Sequence, residues 1–125
     1  GQPAAVPDTL PAGMRGLEVR SLALAPDGRL LAATRLGLLR ERTGGFELLK
    51  RADGLSDDDV YGVLRDREGI VWLAGDGGLS SYSTGALTGY TQRDGLMQDF
   101  VRAINEDERG HLWLGTRQGV QVLRV

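Results

Sequence analysis

Apolar residues in this chain come in short runs, each closed by a polar turn rich in glycine and aspartate. Leu30-Leu31-Ala32-Ala33 and Ile70-Val71-Trp72-Leu73-Ala74 are apolar without alternation, the pattern of strands covered on both faces. The β-rich segments Val19 to Leu24, Val60 to Leu64 and Val101 to Asn105 precede tight turns. Those turns, Ala25-Pro26-Asp27-Gly28, Asp66-Arg67-Glu68-Gly69 and Asp107-Glu108-Arg109-Gly110, combine a glycine that accepts positive φ with aspartates that bond nearby backbone. The same reading predicts second strands over 29–34, 70–75 and 111–116, and third strands over 37–40, 78–82 and 119–123. Fourth strands are predicted over 46–50 and 87–91.

These segments are copies of one unit. Gly28, Gly69 and Gly110 are 41 residues apart, as are Gly13, Gly54 and Gly95, Gly37, Gly78 and Gly119, and Val19, Val60 and Val101. Trp72 and Trp113 share that register with Leu31, and Asp66 matches Asp107 as Asp53 matches Asp94. Four short strands in such a repeat predict a β-propeller blade, whose stacked neighbours cover both sheet faces. The blades run over 13–53, 54–94 and 95–125, the last lacking a fourth strand, while residues 3–10 align with the fourth strands and read as a spare outer strand. Small residues at Ser21, Gly62 and Ala103 suit first strands that crowd near an axis. Trp72 and Trp113, inside apolar strands, are expected in the core between blades.

The architecture expected is therefore all-β, with three propeller blades. Closed rings typically have four to eight blades, and an open stack exposes two apolar flanks. A homodimer would complete a six-bladed ring with twofold symmetry, the N-terminal segment of each chain completing the last blade of the other. A β-trefoil is the alternative, with three four-stranded copies closed within one chain. The turn glycine, the Trp-Leu pair after it and the double-glycine loop at Gly77-Gly78 favour the propeller.

Composition narrows the function. Among 125 residues the net charge is −2 with both signs interspersed, which supplies no electrostatic footprint for nucleic acid. The absence of cysteine excludes disulfides and thiolate metal sites. No apolar run approaches the ~20 residues of a membrane helix, so direct membrane insertion of this segment is not expected. No signal peptide is visible at the start.

The consensus resembles the two-component regulator propeller repeat. In the second copy the resemblance is carried by Gly54-Leu55-Ser56, Val60, Asp66, Gly69, Val71-Trp72-Leu73 and Gly77-Gly78-Leu79. In the third it is carried by Gly95-Leu96, Val101-Arg102-Ala103-Ile104, Glu106-Asp107, Gly110, Leu112-Trp113-Leu114-Gly115-Thr116 and Gly119-Val120. The first copy is degenerate, with Leu31 for tryptophan, Ala25-Pro26 before the turn and Met14 for leucine. Such blades form the extracytoplasmic sensor regions of bacterial receptors that signal through histidine kinases or diguanylate cyclases, and some members are associated with carbohydrates. The resemblance implies a periplasmic or extracellular, non-enzymatic sensing module that binds a small ligand such as a glycan. The alternative role is an assembly module with no small ligand.

No residue pattern calls for a cofactor or metal. Asp57-Asp58-Asp59 lacks the spacing of a calcium loop and reads as solvated loop charge. Asp66 and Asp107 read as turn caps, and His111, the sole histidine, as a polar residue at a strand end. Gly75-Asp76-Gly77-Gly78 lacks the lysine and helix of a phosphate loop. Ligand contacts are expected instead on the loop face, formed by 15–18, 56–59 and 97–100 with Arg35-Leu36, Asp76-Gly77 and Arg117-Gln118. The candidate ligand-binding residues are Arg35, Asp76, Phe100, Arg117 and Gln118. Phe100 replaces the acidic Glu18 and Asp59 of the other copies; it reads equally as a binding anchor or as packing beneath its loop.

Overall fold

The computed structural model describes residues 17–43, 45–96 and 100–124, arranged as three separate antiparallel sheets. The first contains β1 (Val19–Leu24), β2 (Leu30–Thr34), β3 (Gly37–Arg42) and β4 (Gly45–Leu49) in sequential order. The second repeats it with β5 (Val60–Arg65), β6 (Val71–Gly75), β7 (Gly78–Ser83) and β8 (Ala86–Tyr90). The third contains β9 (Val101–Glu106), β10 (Leu112–Thr116) and β11 (Gly119–Leu123). The segment 3–10, expected as an outer strand, lies outside the described residues.

Contacts between sheets concentrate on β1, β5 and β9, with β2 and β6 reaching the next first strand. First strands therefore converge while the outer strands diverge, the wedge geometry of propeller blades rather than the single barrel of a trefoil. One apolar layer joins Leu31, Ala33, Leu38 and Leu49 of the first blade to Val60, Val63, Val71 and Leu73 of the second. Another joins Trp72, Ala74 and Leu79 to Val101, Leu112 and Leu114. The unbroken apolar runs are explained directly: successive residues of β6 face opposite neighbouring blades, and all five are buried.

Each Asp-Trp pair is one structural unit. Trp72 Nε1 donates to Asp66 Oδ2 at 2.7 Å, while Asp66 Oδ1 accepts from the amides of Glu68 and Ile70, both at 2.9 Å. Asp107 repeats this with Trp113 Nε1 at 2.8 Å and the amides of Arg109 and His111 at 2.9 and 3.0 Å. The turn caps expected at these aspartates thus also anchor the tryptophans. In the first blade Ala25 and Leu31 replace both partners together. The recurring Asp53 and Asp94 have a similar origin: they close the 3-10 turns Arg51–Asp53 and Gln92–Asp94 by accepting the amides of Lys50 and Thr91.

One expectation needs correction. Trp72 is buried between blades, but Trp113 is 44% exposed, because among the described residues no further blade covers the outer face of the third. Val120 and Val122 are exposed on that same face, as Leu22 and Leu24 are on the outer face of the first blade.

The Trp113 indole N–H is the largest influence on Asp107 and holds its carboxyl below the ordinary 3.8. Partial desolvation opposes it, while the His111 and Arg109 amides reinforce it. A depressed folded pKa means that the stabilisation is complete above the unfolded value and is lost as pH falls through the folded one. Tryptophan emission is therefore expected to hold steady down to about pH 4 and change below it, and Asp107→Asn should diminish that acid limb by removing the contribution of Trp113. An unaltered acid limb in the variant would show that another carboxylate is responsible.

Candidate functional site

The loop face is organised by a deformation that repeats in every blade. The register of β1 against β2 skips between Val19 and Ser21, that of β5 against β6 between Val60 and Gly62, and that of β9 against β10 across Arg102. Arg20, Tyr61 and Arg102 are the extra residues of these β-bulges, 41 positions apart on the converging first strands. A bulge twists the strand and re-aims the inserted side chain. Here the three re-aimed side chains meet. The guanidinium carbons of Arg20, from the blade before, and Arg102, from the blade after, each lie 4.1 Å from the Tyr61 ring centroid.

The stack continues outward. Arg102 also lies 5.6 Å from the Phe100 ring, and Arg117 lies 4.4 Å from that same ring. Arg20, Tyr61, Arg102, Phe100 and Arg117 form one alternating series of cations and aromatic rings across three blades, each contact favourable by the ring quadrupole. Carboxylates hold two of the cations in place: Asp59 pairs with Arg20, and Asp76 with Arg102. Burial works against the Arg20 charge, but the hydrogen bond to Asp59 and the nearby Asp59, Tyr61 and Glu18 outweigh it and raise its pKa further.

Asp76 is positioned by its own turn. In the first and third blades the turn after the second strand is held by threonine: Thr34 Oγ1 donates to Gly37 O at 2.7 Å, and Thr116 Oγ1 to Gly119 O at 2.9 Å. The second blade has Gly75 at that place, and its turn is tied to the preceding loop instead, with the Asp76 amide donating to Asp59 O at 3.2 Å. Gly77 lies so close to the loop that an added Cβ would come within 2.8 Å of the Asp57 Cβ and nearer still to the Ser56 carbonyl. The double-glycine sequence is thus a packing requirement, and it places Asp76 beside Arg102.

Of the expected ligand contacts, the structure brings Asp76, Phe100 and Arg117 together through Arg102. Phe100 is half-buried between two guanidinium groups. Arg35 and Gln118 are exposed on their turns, and the Gln118 amide donates to Thr116 Oγ1 at 3.2 Å. Met97 to Asp99 lie outside the described residues. Sequence reasoning missed Arg20, Tyr61 and Arg102, although their shared place after the periodic valines was a usable signal. It also read Asp57-Asp58-Asp59 as solvated charge. Instead Asp57 accepts from the Asp59 amide, Asp58 from the Arg51 amide, and Asp59 pairs with Arg20, because the loop must close over the bulged strands. No group of three or more metal-ligating side chains occurs among the described residues.

The family described as two component regulator propeller matches residues 54–77 and 95–118, the cores of the second and third blades. A search of curated proteins found no match. Among solved structures, the extracellular domain of BT3049 from B. thetaiotaomicron, described as a hybrid two component system, aligns with TM-score 0.79 at 23% identity. That alignment covers 94% of this chain and 17% of the other. PorZ of Porphyromonas gingivalis, described as a bacterial surface component of the type-IX secretion system, aligns with TM-score 0.67 at 14% identity over 87% of this chain and 18% of PorZ. A streptogramin B lyase aligns with TM-score 0.58 at 14% identity, over 86% of this chain and 40% of that one. The chain therefore spans less than a fifth of the length of the first two structures. At these identities the likeness establishes the propeller fold.

Proposed function

Because two of its three blades carry the two-component regulator propeller repeat, we propose that this protein is a non-enzymatic, extracytoplasmic sensing module that binds a small ligand at the rim formed by the bulged first strands. The observation that supports this most is the cation-aromatic series from Arg20 to Arg117, fixed by Asp59 and Asp76. It is a polar constellation on the converging first strands, where side chains of all three blades meet. Glycans are the ligand class that the family resemblance suggests. A non-catalytic role is supported by the position of His111, which contacts Asp107 at the turn end of the blade, away from the rim.

A second reading is favoured by the exposed flanks. A groove of about 680 Å³ between the first two blades has one wall built from Ala25, Pro26, Asp27, Arg29, Arg40 and Arg42. The corresponding positions of the third blade, Asp107, Glu108, Arg109, His111, Val122 and Arg124, line a cleft of about 650 Å³ together with Trp113. The third blade thus presents the wall that receives a next blade. A second copy supplying it, through the face carrying Leu22 and Leu24, would give the six-bladed homodimeric ring.

Calorimetry with an oligosaccharide panel, paired with the sedimenting mass, separates the readings. Heat that disappears in Phe100→Ala supports sensing at the rim. Silence across the panel with a mass of twice 13.5 kDa favours assembly. A monomer that releases no heat would overturn both.

A further inference from the structure

The cation-aromatic series has a chemical polarity, which deepens the sensing reading and rests on it. Tyr61 is not available to a neutral sugar ring, since guanidinium groups from the blades on either side lie over it, both at 4.1 Å. Arg20 and Arg102 are not available either, because Asp59 and Asp76 neutralise them. What remains is Arg117. It is exposed, has no carboxylate partner among the described residues, and is held against the Phe100 ring at 4.4 Å. A guanidinium stacked in this way keeps its edge free, and that edge carries the planar fork of donors that matches a carboxylate bidentately. Stacking also reduces the side-chain entropy that would otherwise oppose binding.

A second arginine occupies the equivalent turn two repeats earlier. Arg35 is exposed on the turn between β2 and β3 and likewise has no ion pair among the described residues. Between them, the second blade places Asp76 at the same repeat position, and that carboxylate is already committed to Arg102. The rim therefore offers two uncommitted cations and has its nearest like-positioned anion occupied.

We propose that the rim selects an anionic ligand bearing a carboxylate, with Arg117 as its anchor. A uronic-acid oligosaccharide fits that chemistry, whereas a neutral oligosaccharide depends on ring stacking that the arginines already pre-empt.

The test titrates the intact chain with trigalacturonate and with maltotriose. Trigalacturonate is expected to bind, more weakly as salt rises, and maltotriose to release no heat. Arg117→Ala is expected to lower trigalacturonate affinity about tenfold or more, and Arg117→Lys to recover only part of it, since lysine keeps the charge without the fork. Circular dichroism of each variant checks that the fold persists. Binding of maltotriose alone, lost in Phe100→Ala, would overturn the anionic preference while leaving the rim as the sensing site. Trigalacturonate binding undiminished in Arg117→Ala would overturn the anchor, and silence toward trigalacturonate would overturn the anionic preference, the sensing reading itself falling only with silence across the whole oligosaccharide panel.

Discussion

Replacing Asp66 by alanine is expected to destabilise the protein by about 3 kcal/mol or more, although the side chain lost is small. The residue is 5% exposed, and its carboxylate accepts three hydrogen bonds, from the Trp72 indole and the amides of Glu68 and Ile70. Each buried donor left without an acceptor costs about 1–3 kcal/mol. Trp72→Leu should also be costly, by about 2–4 kcal/mol, because it opens space in the layer shared with Leu112 and Leu114 and strips Asp66 Oδ2 of its donor. The first blade shows how the two losses are coupled. It has Ala25 and Leu31 at these places and keeps the same turn, with the Ala25 amide bonded to Arg29 O at 2.9 Å and the Gly28 amide to Ala25 O at 2.8 Å. The double variant Asp66→Ala/Trp72→Leu is therefore expected to cost less than the sum of its parts, by about 1–2 kcal/mol. Urea unfolding followed by circular dichroism measures all three. Strict additivity would show that aspartate and tryptophan are independent rather than one unit. The matching Asp107→Ala should be milder, since Trp113 is largely exposed and water can replace the lost acceptor.

Much of this is legible in the repeat itself. Strand positions follow from turn glycines and from apolar runs whose lack of alternation reflects burial on both faces, and the strands of the structure begin and end within two residues of those expectations. The candidate site was only partly legible, for a physical reason. Asp76, Phe100 and Arg117 were visible as odd residues in loops, but Arg20, Tyr61 and Arg102 are strand residues, and a strand pattern assigns them to one or other sheet face. Only the bulge, a feature of pairing between strands and not of composition, turns them toward one another. The Trp113 expectation failed for a related reason: a strand buried on both faces needs a neighbour on each side, and the sequence of one strand carries no record of whether that neighbour is present.

Among the described residues the outer edge of the third blade is uncovered, so two equivalent glycines are expected to respond differently. Gly37, Gly78 and Gly119 open the third strand of each blade with φ of 145°, 125° and 124°, a region that side chains rarely adopt. An added Cβ at Gly37 or Gly78 would also collide with the fourth strand, at the carbonyls of Leu49 and Tyr90. At Gly119 it would meet nothing within 4 Å among the described residues. Gly78→Ala is therefore expected to cost about 3 kcal/mol or more, the backbone strain adding to a clash with a main-chain carbonyl that has no rotamer to escape into. Gly119→Ala should cost only the strain, about 1–2 kcal/mol, if the third blade stays as described in the isolated chain. The same pair probes assembly. If a strand from a second copy completes the third blade, its carbonyl would stand where those of Leu49 and Tyr90 stand, and Gly119→Ala would lower the sedimenting mass to that of one chain. A variant that keeps its mass and loses only the strain energy would show that no strand occupies that edge.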